Sequence, residues 1–399
     1  MLNHSWKIRK HTLPNRVVFQ PMEGCDCNAD GSPSDLTVAK YHAAAASGAG
    51  MVWFEACAVC PEGRTNPRQM RLTEENKESF RALLAQMREI AARECGIRQV
   101  LILQLTHSGR QSIVPMIAYR NSVYETTRPV TDANIVTDDY LDTLPALYLH
   151  TALLAKEVGF DGVDVKSCHG YLVQELLSAF SRPGRYGGSL ENRSRLYRDC
   201  FRAVREGVPS DFLTVTRFSV TDMIPYPNGF GTDENGDMDL TEAEQIVGAL
   251  AESGLDALNI TLGNPYYNPH VNRPFRRGAY RPPESAENGL ERFRVAERFF
   301  KEKFPDLTVI ASGLSYYRDD LIEQSENLLT NGICDLVGFG RMWLAYPMFY
   351  RDWCGSSFDP KKCCLACSKC TELMRHHQVS GCAVFNEIYR KIYREKVKI

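Results

Sequence analysis

The sequence predicts a (β/α)8 TIM barrel followed by a cysteine-rich C-terminal extension. Three observations support this prediction: eight short apolar runs alternate with helical patterns, the alternation ends near residue 350, and no strand–GxGxxG–helix unit is present. Parallel strands that are buried on both faces have near-continuous apolar sequences, and eight of them can close into a barrel. The alternative is a doubly wound sheet with an additional domain.

The eight predicted strands are rich in β-branched and apolar residues. In chain order they are RVVFQP (Arg16–Pro21), MVWFEACAV (Met51–Val59), VLILQL (Val100–Leu105), GVDVK (Gly162–Lys166), FLTVTRFS (Phe212–Ser219), ALNITLG (Ala257–Gly263), TVIASG (Thr308–Gly313) and LVGFGR (Leu336–Arg341). Amphipathic segments such as TEAEQIVGALAESG lie between them, and Thr241 and Glu244 in that segment have the spacing of a capping box. We predict residues 1–350 as the barrel and 351–399 as an extension packed on it.

Two connections are unusually long and follow the fifth and sixth strands. They span Thr221–Asp239 and Gly263–Gly289, and the second is rich in tyrosine and arginine. Loops that follow barrel strands lie on the catalytic face, where long ones are often lids or binding loops. The second loop is therefore either a lid that contacts substrate or a solvated excursion.

Composition limits the classes of partner. The net charge is −2 and 24% of residues are charged, which gives no field that would gather nucleic acid or an anionic membrane. No run approaches the ~18 apolar residues of a membrane helix, and the amino terminus lacks the apolar core of a signal peptide. We expect a cytoplasmic protein; homo-oligomerisation stays open. In a reducing compartment, its 14 cysteines favour metal binding over disulfides.

Polar residues follow several strands at the end where barrel enzymes hold their reacting groups. Lys166, His169 and Tyr171 follow the fourth strand. A cation and an imidazole can polarise a carbonyl oxygen, and a tyrosine can deliver a proton to a carbanion. Gly313, and Gly340 with Arg341, end the seventh and eighth strands, where barrels usually bind phosphate. These residues predict a phosphate-bearing cofactor beside a carbonyl-activating group.

The extension contains the cysteine-rich stretch CCLACSKC, with a further cysteine nearby. Cys364, Cys367 and Cys370 repeat every three residues, and Cys382 follows after a short loop. Thiolates with this spacing are typical of a [4Fe–4S] cluster. Zinc is the alternative, with His376 or His377 as a substitute ligand. We favour the cluster, because structural zinc sites usually present two C-x-x-C knuckles rather than one triplet.

Seven motifs resemble those of the old yellow enzyme family, and in particular its iron–sulfur branch, which includes 2,4-dienoyl-CoA reductases and trimethylamine dehydrogenase. In order they are PNRVVFQPME, GSPSDLTVAKY, EACAVCPEGR, QLTHSGRQ, GFDGVDVKSCHGYL, GRYGGSLENRSR and DLVGFGRMWLAYP. The resemblance covers essentially the whole chain. It implies a barrel with FMN at its carboxy-terminal mouth, and the cysteine spacing is similar to the cluster pattern of trimethylamine dehydrogenase.

The resemblance also implies roles for individual residues. It puts Pro21, Met22 and Glu23 beside the isoalloxazine ring, Ala56 and Gln104 at its edge, and Arg217 near N1; Ser312, Gly313, Gly340 and Arg341 would hold the phosphate. Tyr171 matches the proton donor of the family, and His169 matches the second member of its carbonyl-binding pair.

Two positions depart from the family pattern. Lys166 stands where the first member of the carbonyl-binding pair is usually histidine, and Glu23 replaces the usual threonine or cysteine beside the flavin. Cys25 does not match the attachment site of a covalent flavin, so we expect non-covalent FMN. The nucleotide-binding half of cluster-bearing relatives has no counterpart after Cys382, so the expected electron donor is NAD(P)H or an external redox protein.

These features predict an FMN-dependent ene-reductase that reduces the C=C bond of an α,β-unsaturated carbonyl. Enoyl thioesters, steroid enones and plant aromatic enones such as flavones are all candidate substrates. One alternative is a flavin and iron–sulfur amine dehydrogenase similar to trimethylamine dehydrogenase. An alternative of another class is a zinc-containing TIM-barrel lyase or hydrolase.

Overall fold

Eight parallel strands form a closed barrel in the structure, a computed structural model that describes residues 1–397. In chain order they are β1 (Val17–Phe19), β2 (Met51–Ala58), β3 (Val100–Thr106), β4 (Gly162–Val165), β5 (Leu213–Ser219), β6 (Ala257–Thr261), β7 (Thr308–Ala311) and β8 (Leu336–Phe339). Each strand pairs with its neighbours in sequence, and β8 closes on β1 with Val337 opposite Val17. The predicted barrel is confirmed.

Helices follow the strands and surround the barrel. The principal ones are Asp35–Ala45, Lys77–Cys95, Asp138–Val158, Arg195–Gly207, Thr241–Glu252, Ala286–Lys303 and Leu321–Thr330, and β8 is followed by Arg341–Ala345 and Phe349–Cys354. Shorter helices lie in the connections, at Ser122–Glu125, Leu172–Leu177, Leu190–Arg193 and Pro269–Asn272. The proposed capping box at Thr241 is wrong, since Leu240 occupies the cap position and makes no side-chain cap. None of the helices described is long and apolar enough to span a membrane.

The barrel interior is a packed apolar core. Val18, Trp53, Ile102 and similar inward-facing side chains fill it, and all three are fully buried. An N-terminal hairpin of strands Trp6–Ile8 and His11–Leu13 adds Ile8 and Leu13 to the same core. Because these residues fill the lower part of the barrel, the space left inside the barrel lies at its carboxy-terminal mouth.

The C-terminal extension lies against loops of that mouth. The amides of Arg276 and Arg277 donate to the carbonyl of Ala366 (3.0 and 3.3 Å), and the amide of Ser380 donates to the carbonyl of Gly24 (2.6 Å). Its helices, Lys369–Arg375 and Glu387–Lys396, share a small apolar cluster around Leu373 and Tyr389.

The domain division remains a prediction. The boundary at residue 350 falls within the helix Phe349–Cys354, and residues 398–399 of the predicted extension lie outside the described residues.

Candidate active site

A cavity of about 1030 Å³ opens at the carboxy-terminal mouth of the barrel. All thirteen residues predicted for catalysis or cofactor binding line it: Pro21, Met22, Glu23, Ala56, Gln104, Lys166, His169, Tyr171, Arg217, Ser312, Gly313, Gly340 and Arg341. Cys370 lines it as well, whereas Cys364, Cys367 and Cys382 do not. The second long loop contributes Pro265, Tyr266, Asn272 and Arg273, and the first contributes none. The barrel therefore brings the predicted residues together in one place.

One end of the cavity suits a phosphate. Gly313 has φ +83°, a left-handed conformation that favours glycine, and it follows the end of β7. Nη2 of Arg341 donates to the carbonyl of Pro274 at 2.8 Å. Nη1 of Arg341 and Nε of Arg273 are buried without a hydrogen-bond partner anywhere in residues 1–397. Burial, with Arg341 nearby, lowers the pKa of Arg273 to about 10. Two buried guanidinium groups with unused donors fit the phosphate of FMN.

The floor of the cavity carries a fixed array of amide and guanidinium groups. Asp164 in β4 accepts from Nε2 of Gln104 at 2.6 Å and from the backbone amide of Arg217 at 2.8 Å. Burial raises the pKa of Asp164 to about 7. Nη1 of Arg217 donates to the carbonyl of Pro21 at 3.4 Å, while its Nε finds no partner within the described chain. These polar groups suit the heteroatom edge of an isoalloxazine ring.

Gln20 is a cavity residue that the sequence analysis missed. Its Nε2 donates to Ser312 Oγ at 2.6 Å and to Asn259 Oδ1 at 3.0 Å, so it links the ends of β1, β6 and β7. The sequence signal that could have identified Gln20 is its polar side chain at the end of an apolar strand, directly before Pro21.

Four ionisable side chains converge in the same cavity. Lys166 Nζ lies 3.7 Å from the centroid of the Tyr171 ring, and the Tyr171 hydroxyl donates to Glu23 Oε2 at 3.3 Å. Burial raises the pKa of Tyr171 and lowers those of Lys166 and His169. Burial also raises the pKa of Glu23 to about 7, although Lys166 opposes the shift. The site can therefore hold a neutral tyrosine and a neutral imidazole near neutral pH.

His169 is positioned to bind a ligand. It has φ +66°, and its amide donates to Ser219 Oγ at 3.3 Å. Its Nε2 is buried and has no hydrogen-bond partner among the described residues, although the side chain lines the cavity. An unpaired imidazole nitrogen in a cavity fits a ligand oxygen.

A buried charge network under the site was also missed. Lys40 Nζ contacts Asp26 Oδ2 at 3.0 Å and Glu55 Oε1 at 2.5 Å, and Glu55 Oε2 accepts from the amide of Gly24 at 2.7 Å. The loop that carries Glu23 is thus anchored to β2. The signal was Glu55 itself, because a carboxylate inside an apolar strand needs a buried partner.

The four predicted cluster ligands lie in the extension, close enough to influence one another electrostatically. Burial raises the pKa of Cys364 to about 11 and that of Cys382, and the Cys370 thiol adds to both shifts. Cys364 Sγ accepts from the amide of Ala366 at 3.4 Å. Thiols that are close together and supported by an amide donor suit a metal cluster. Within residues 1–397, however, no three His, Cys, Asp or Glu side chains form a group able to hold a metal ion. The cluster remains a prediction.

Two curated proteins share most of this chain. The NADH oxidase of Thermoanaerobacter brockii is 26% identical over 369 residues, which are 91% of this chain and 52% of that protein. The NADPH dehydrogenase of Bacillus pumilus is 27% identical over 351 residues, which are 86% of this chain and 91% of that protein. The chain thus spans about half the length of the first relative and nearly all of the second.

Solved structures show the same fold. A 2-naphthoyl-CoA reductase in complex with 2-naphthoyl-CoA has a TM-score of 0.78 at 19% identity, over 98% of this chain and 57% of that chain. An old yellow enzyme homologue from Zymomonas mobilis has a TM-score of 0.67 at 19% identity, over 91% of this chain and 98% of that chain.

The family comparison gives the assignment. The NADH:flavin oxidoreductase / NADH oxidase family matches residues 4–352, which include every strand of the barrel and all thirteen predicted cavity residues. This chain therefore belongs to the NADH:flavin oxidoreductase / NADH oxidase family, a family of flavin-dependent oxidoreductases.

Proposed function

We propose that the protein is an FMN-dependent ene-reductase that reduces the C=C bond of an α,β-unsaturated carbonyl compound. The observation that carries this proposal is the group formed by Lys166, His169 and Tyr171 in one cavity, with the Tyr171 hydroxyl bonded to Glu23. This group contains two donors for a carbonyl oxygen and one proton donor, which are the functions that the reduction of an enone requires.

Lys166 and His169 are proposed to bind the carbonyl oxygen of the substrate. The oxygen gains negative charge as the enolate forms, and donors that are already fixed and buried stabilise that charge. The unpaired Nε2 of His169 supplies one donor, and the ammonium of Lys166 supplies the other. A lysine at this position acts as a point charge rather than as a second imidazole.

Tyr171 is proposed to donate the proton to the α-carbon. Lys166 above its ring stabilises the tyrosinate that remains after proton transfer. The contact of 3.3 Å with Glu23 Oε2 holds the Tyr171 hydroxyl in position. With its pKa raised to about 7, Glu23 is about half protonated near pH 7, and the protonated form can donate to the Tyr171 oxygen and leave the Tyr171 proton free for the α-carbon.

Ser312, Gly313, Gly340 and Arg341 are proposed to bind the FMN phosphate, and Pro21, Met22, Ala56, Gln104 and Arg217 to contact its ring. When bound and reduced, FMN would supply the hydride for the β-carbon of the substrate. Cys364, Cys367, Cys370 and Cys382 are proposed to hold a [4Fe–4S] cluster, which would supply single electrons to this site. Cys370 lines the cavity itself, which supports a short path between the two groups.

NAD(P)H is the proposed electron donor, an expectation supported by the names of the two curated relatives. An external redox protein remains the other route to the cluster. The amine dehydrogenase alternative fits the cavity less well, since Lys166 and Arg217 would repel an ammonium substrate. Family membership favours flavin chemistry over the zinc lyase or hydrolase.

The test uses protein purified anaerobically and loaded with FMN. Dithionite-reduced enzyme should be reoxidised by an enone, with formation of the saturated product. Tyr171→Phe should lower turnover by about 10²- to 10⁴-fold and retain FMN. Tyr148→Phe is the matched control, because it removes the same hydroxyl group from a buried tyrosine that lies outside the cavity. Unchanged turnover in Tyr171→Phe would contradict the role of Tyr171, and failure to reduce any enone would contradict the proposed reaction.

The cluster has its own test. Iron and acid-labile sulfide should each approach about four atoms per chain, as a [4Fe–4S] cluster requires. Cys364→Ser should lose the iron, whereas Cys363→Ser, which changes the adjacent thiol, should keep it. Stoichiometric zinc with no iron would support the alternative metal site instead.

A further inference from the structure

The charges that line the cavity are almost all positive. Among residues 1–397, the cationic side chains that line it are Arg68, Arg128, Lys166, Arg217, Arg273, Arg341 and Arg375, and the one carboxylate is Glu23. In the described part of the chain, none of these seven cations has a carboxylate within 4.0 Å. Buried cations elsewhere are paired, as Lys40 is with Asp26 and Arg110 with Glu175. The cavity is therefore built to receive negative charge.

The cofactor of the proposed function accounts for only part of this excess. Arg341 and Arg273 lie at the proposed phosphate end, and Lys166 and Arg217 lie beside the proposed ring site. Arg68, Arg128 and Arg375 have no task in that assignment. Two of them, Arg128 and Arg375, also line an adjoining pocket of about 410 Å³.

This side pocket is aromatic as well as cationic. Tyr266, Tyr267 and Tyr280 line it together with Arg128 and Arg375, and none of the described residues that line it is acidic. Tyr266 and both arginines are shared with the main cavity, so the two spaces are continuous.

Neutral groups hold the two arginines in place. Arg128 donates to the carbonyl of Ile113 at 3.3 Å, and Arg375 donates to the carbonyl of Pro265 at 3.1 Å. Carbonyl partners orient a guanidinium group without neutralising its charge. Arg375 ends the helix Lys369–Arg375, which also carries Cys370, so one short helix faces both the proposed cofactor site and the side pocket.

We propose that Arg128 and Arg375 form a subsite for a carboxylate or phosphate group carried by the unsaturated substrate, with the planar part of that substrate against the three tyrosines. This inference rests on the proposed function and adds the substrate class to it. Guanidinium groups bind both anions through paired charge-assisted hydrogen bonds, and tyrosine rings pack against flat conjugated molecules. The preferred substrate is thus an anionic conjugated carbonyl compound.

The test compares two aryl enones that are identical except for a ring carboxylate, with FMN-loaded enzyme. The wild-type protein should have the lower KM for the carboxylate. Arg128→Gln and Arg375→Gln should each raise that KM by about 10- to 100-fold, the usual size for loss of a charge-assisted hydrogen bond, and leave the KM of the neutral enone within about twofold. Arg281→Gln is the matched control, because this exposed arginine of the same loop region lines neither cavity.

Further arms identify the source of the anion. An enoyl-CoA thioester and its 3′-dephospho form test whether the anion is a phosphate of the substrate. The subsite is supported if Arg128→Gln and Arg375→Gln both raise the KM of the thioester that carries the 3′-phosphate more than the KM of the dephospho form. NADPH and NADH test the donor, and an effect restricted to the NADPH phosphate would overturn the assignment to substrate. Equal changes for charged and neutral enones, or no change for either, would also overturn it.

Two measurements keep the test independent of variant folding and of the proposed reaction. In the wild-type protein the KM of the anionic enone should rise with ionic strength while that of the neutral enone stays constant. If no enone is reduced, calorimetric binding of an aryl carboxylate to the holoenzyme still decides the matter: weaker binding in Arg375→Gln supports the subsite, and unchanged binding refutes it.

Discussion

Lys40 is held between two carboxylates beneath the loop that carries Glu23. The side chain of Lys40 is 6% exposed, and those of Asp26 and Glu55 are fully buried. Replacement of Lys40 by methionine keeps a similar length but removes the charge that both carboxylates face. Loss of one partner from a buried ion pair costs about 3–5 kcal/mol, a large share of the ~5–15 kcal/mol that stabilises a folded domain.

The stability that Lys40→Met loses should increase with pH. Burial already raises the pKa of Glu55, and Lys40 opposes that shift. Without Lys40 the folded-state pKa of Glu55 rises further above its unfolded value of about 4.3. A raised folded-state pKa gives stability that is present at low pH and lost as the pH rises. The deficit of Lys40→Met should therefore be larger at about pH 8 than at about pH 5.5.

Urea unfolding of the FMN-loaded and FMN-free proteins at both pH values measures this deficit. Lys303→Met is the matched control, because Lys303 contacts Glu244 at 3.0 Å with side chains that are 49% and 35% exposed. An exposed pair of this kind should cost about 0–1 kcal/mol. A Lys40→Met deficit as small as that of the control, or one that does not change with pH, would refute the reasoning.

Three further predictions concern the cavity. Turnover should fall as the pH rises through about 7, because an ionised Glu23 makes Tyr171 a weaker acid. The pH profile of Glu23→Gln should lack this fall, and a profile identical to that of the wild-type protein would show that Glu23 does not cause it. Gly313→Ala should lower the free energy of unfolding by about 1–2 kcal/mol and also weaken FMN binding. Gly332→Ala is the control, because Gly332 is also left-handed (φ +65°) but lies outside the cavity, and it should lower only the stability. Thermal unfolding measures the change in stability, and fluorescence titration with FMN measures the change in binding. Arg341→Met should raise the Kd of FMN by about 10- to 100-fold, and an unchanged Kd would remove Arg341 from the phosphate site.

The fold was predictable because its signals are local. Each barrel strand is a continuous apolar run, which is typical of a strand buried on both faces, and residues such as Val18 and Ile102 are indeed fully buried. The residues that line the cavity could be predicted for a related reason. The carboxyl ends of parallel strands meet at one face of the barrel, and this does not depend on the conformation of the loops. The cap at Thr241 was mispredicted. Thr241 is the first residue of the helix instead, and its backbone amide donates to the carboxylate of Asp239 at 2.9 Å.

Other parts of the site depend on contacts that sequence spacing does not reveal. Arg128 and Arg375 come from distant parts of the chain and share a pocket because the extension lies over the mouth of the barrel. The contact between Tyr171 and Glu23 joins β4 to β1 across that mouth. The pKa of Glu23 follows from this packing, because burial and Lys166 set it rather than the neighbours of Glu23 in the chain.

The barrel, its eight strands and the residues at the strand ends could be predicted from short segments of the chain, since periodicity and strand direction are local properties. The pairing of charges, in contrast, depends on how the folded chain brings distant segments together. Lys40 is paired with Asp26 and Glu55, whereas Arg128 and Arg375 have no carboxylate partner among residues 1–397 and line a cavity. The physical reason is that electrostatic compensation depends on distance and burial in three dimensions, which the order of residues along the chain does not specify.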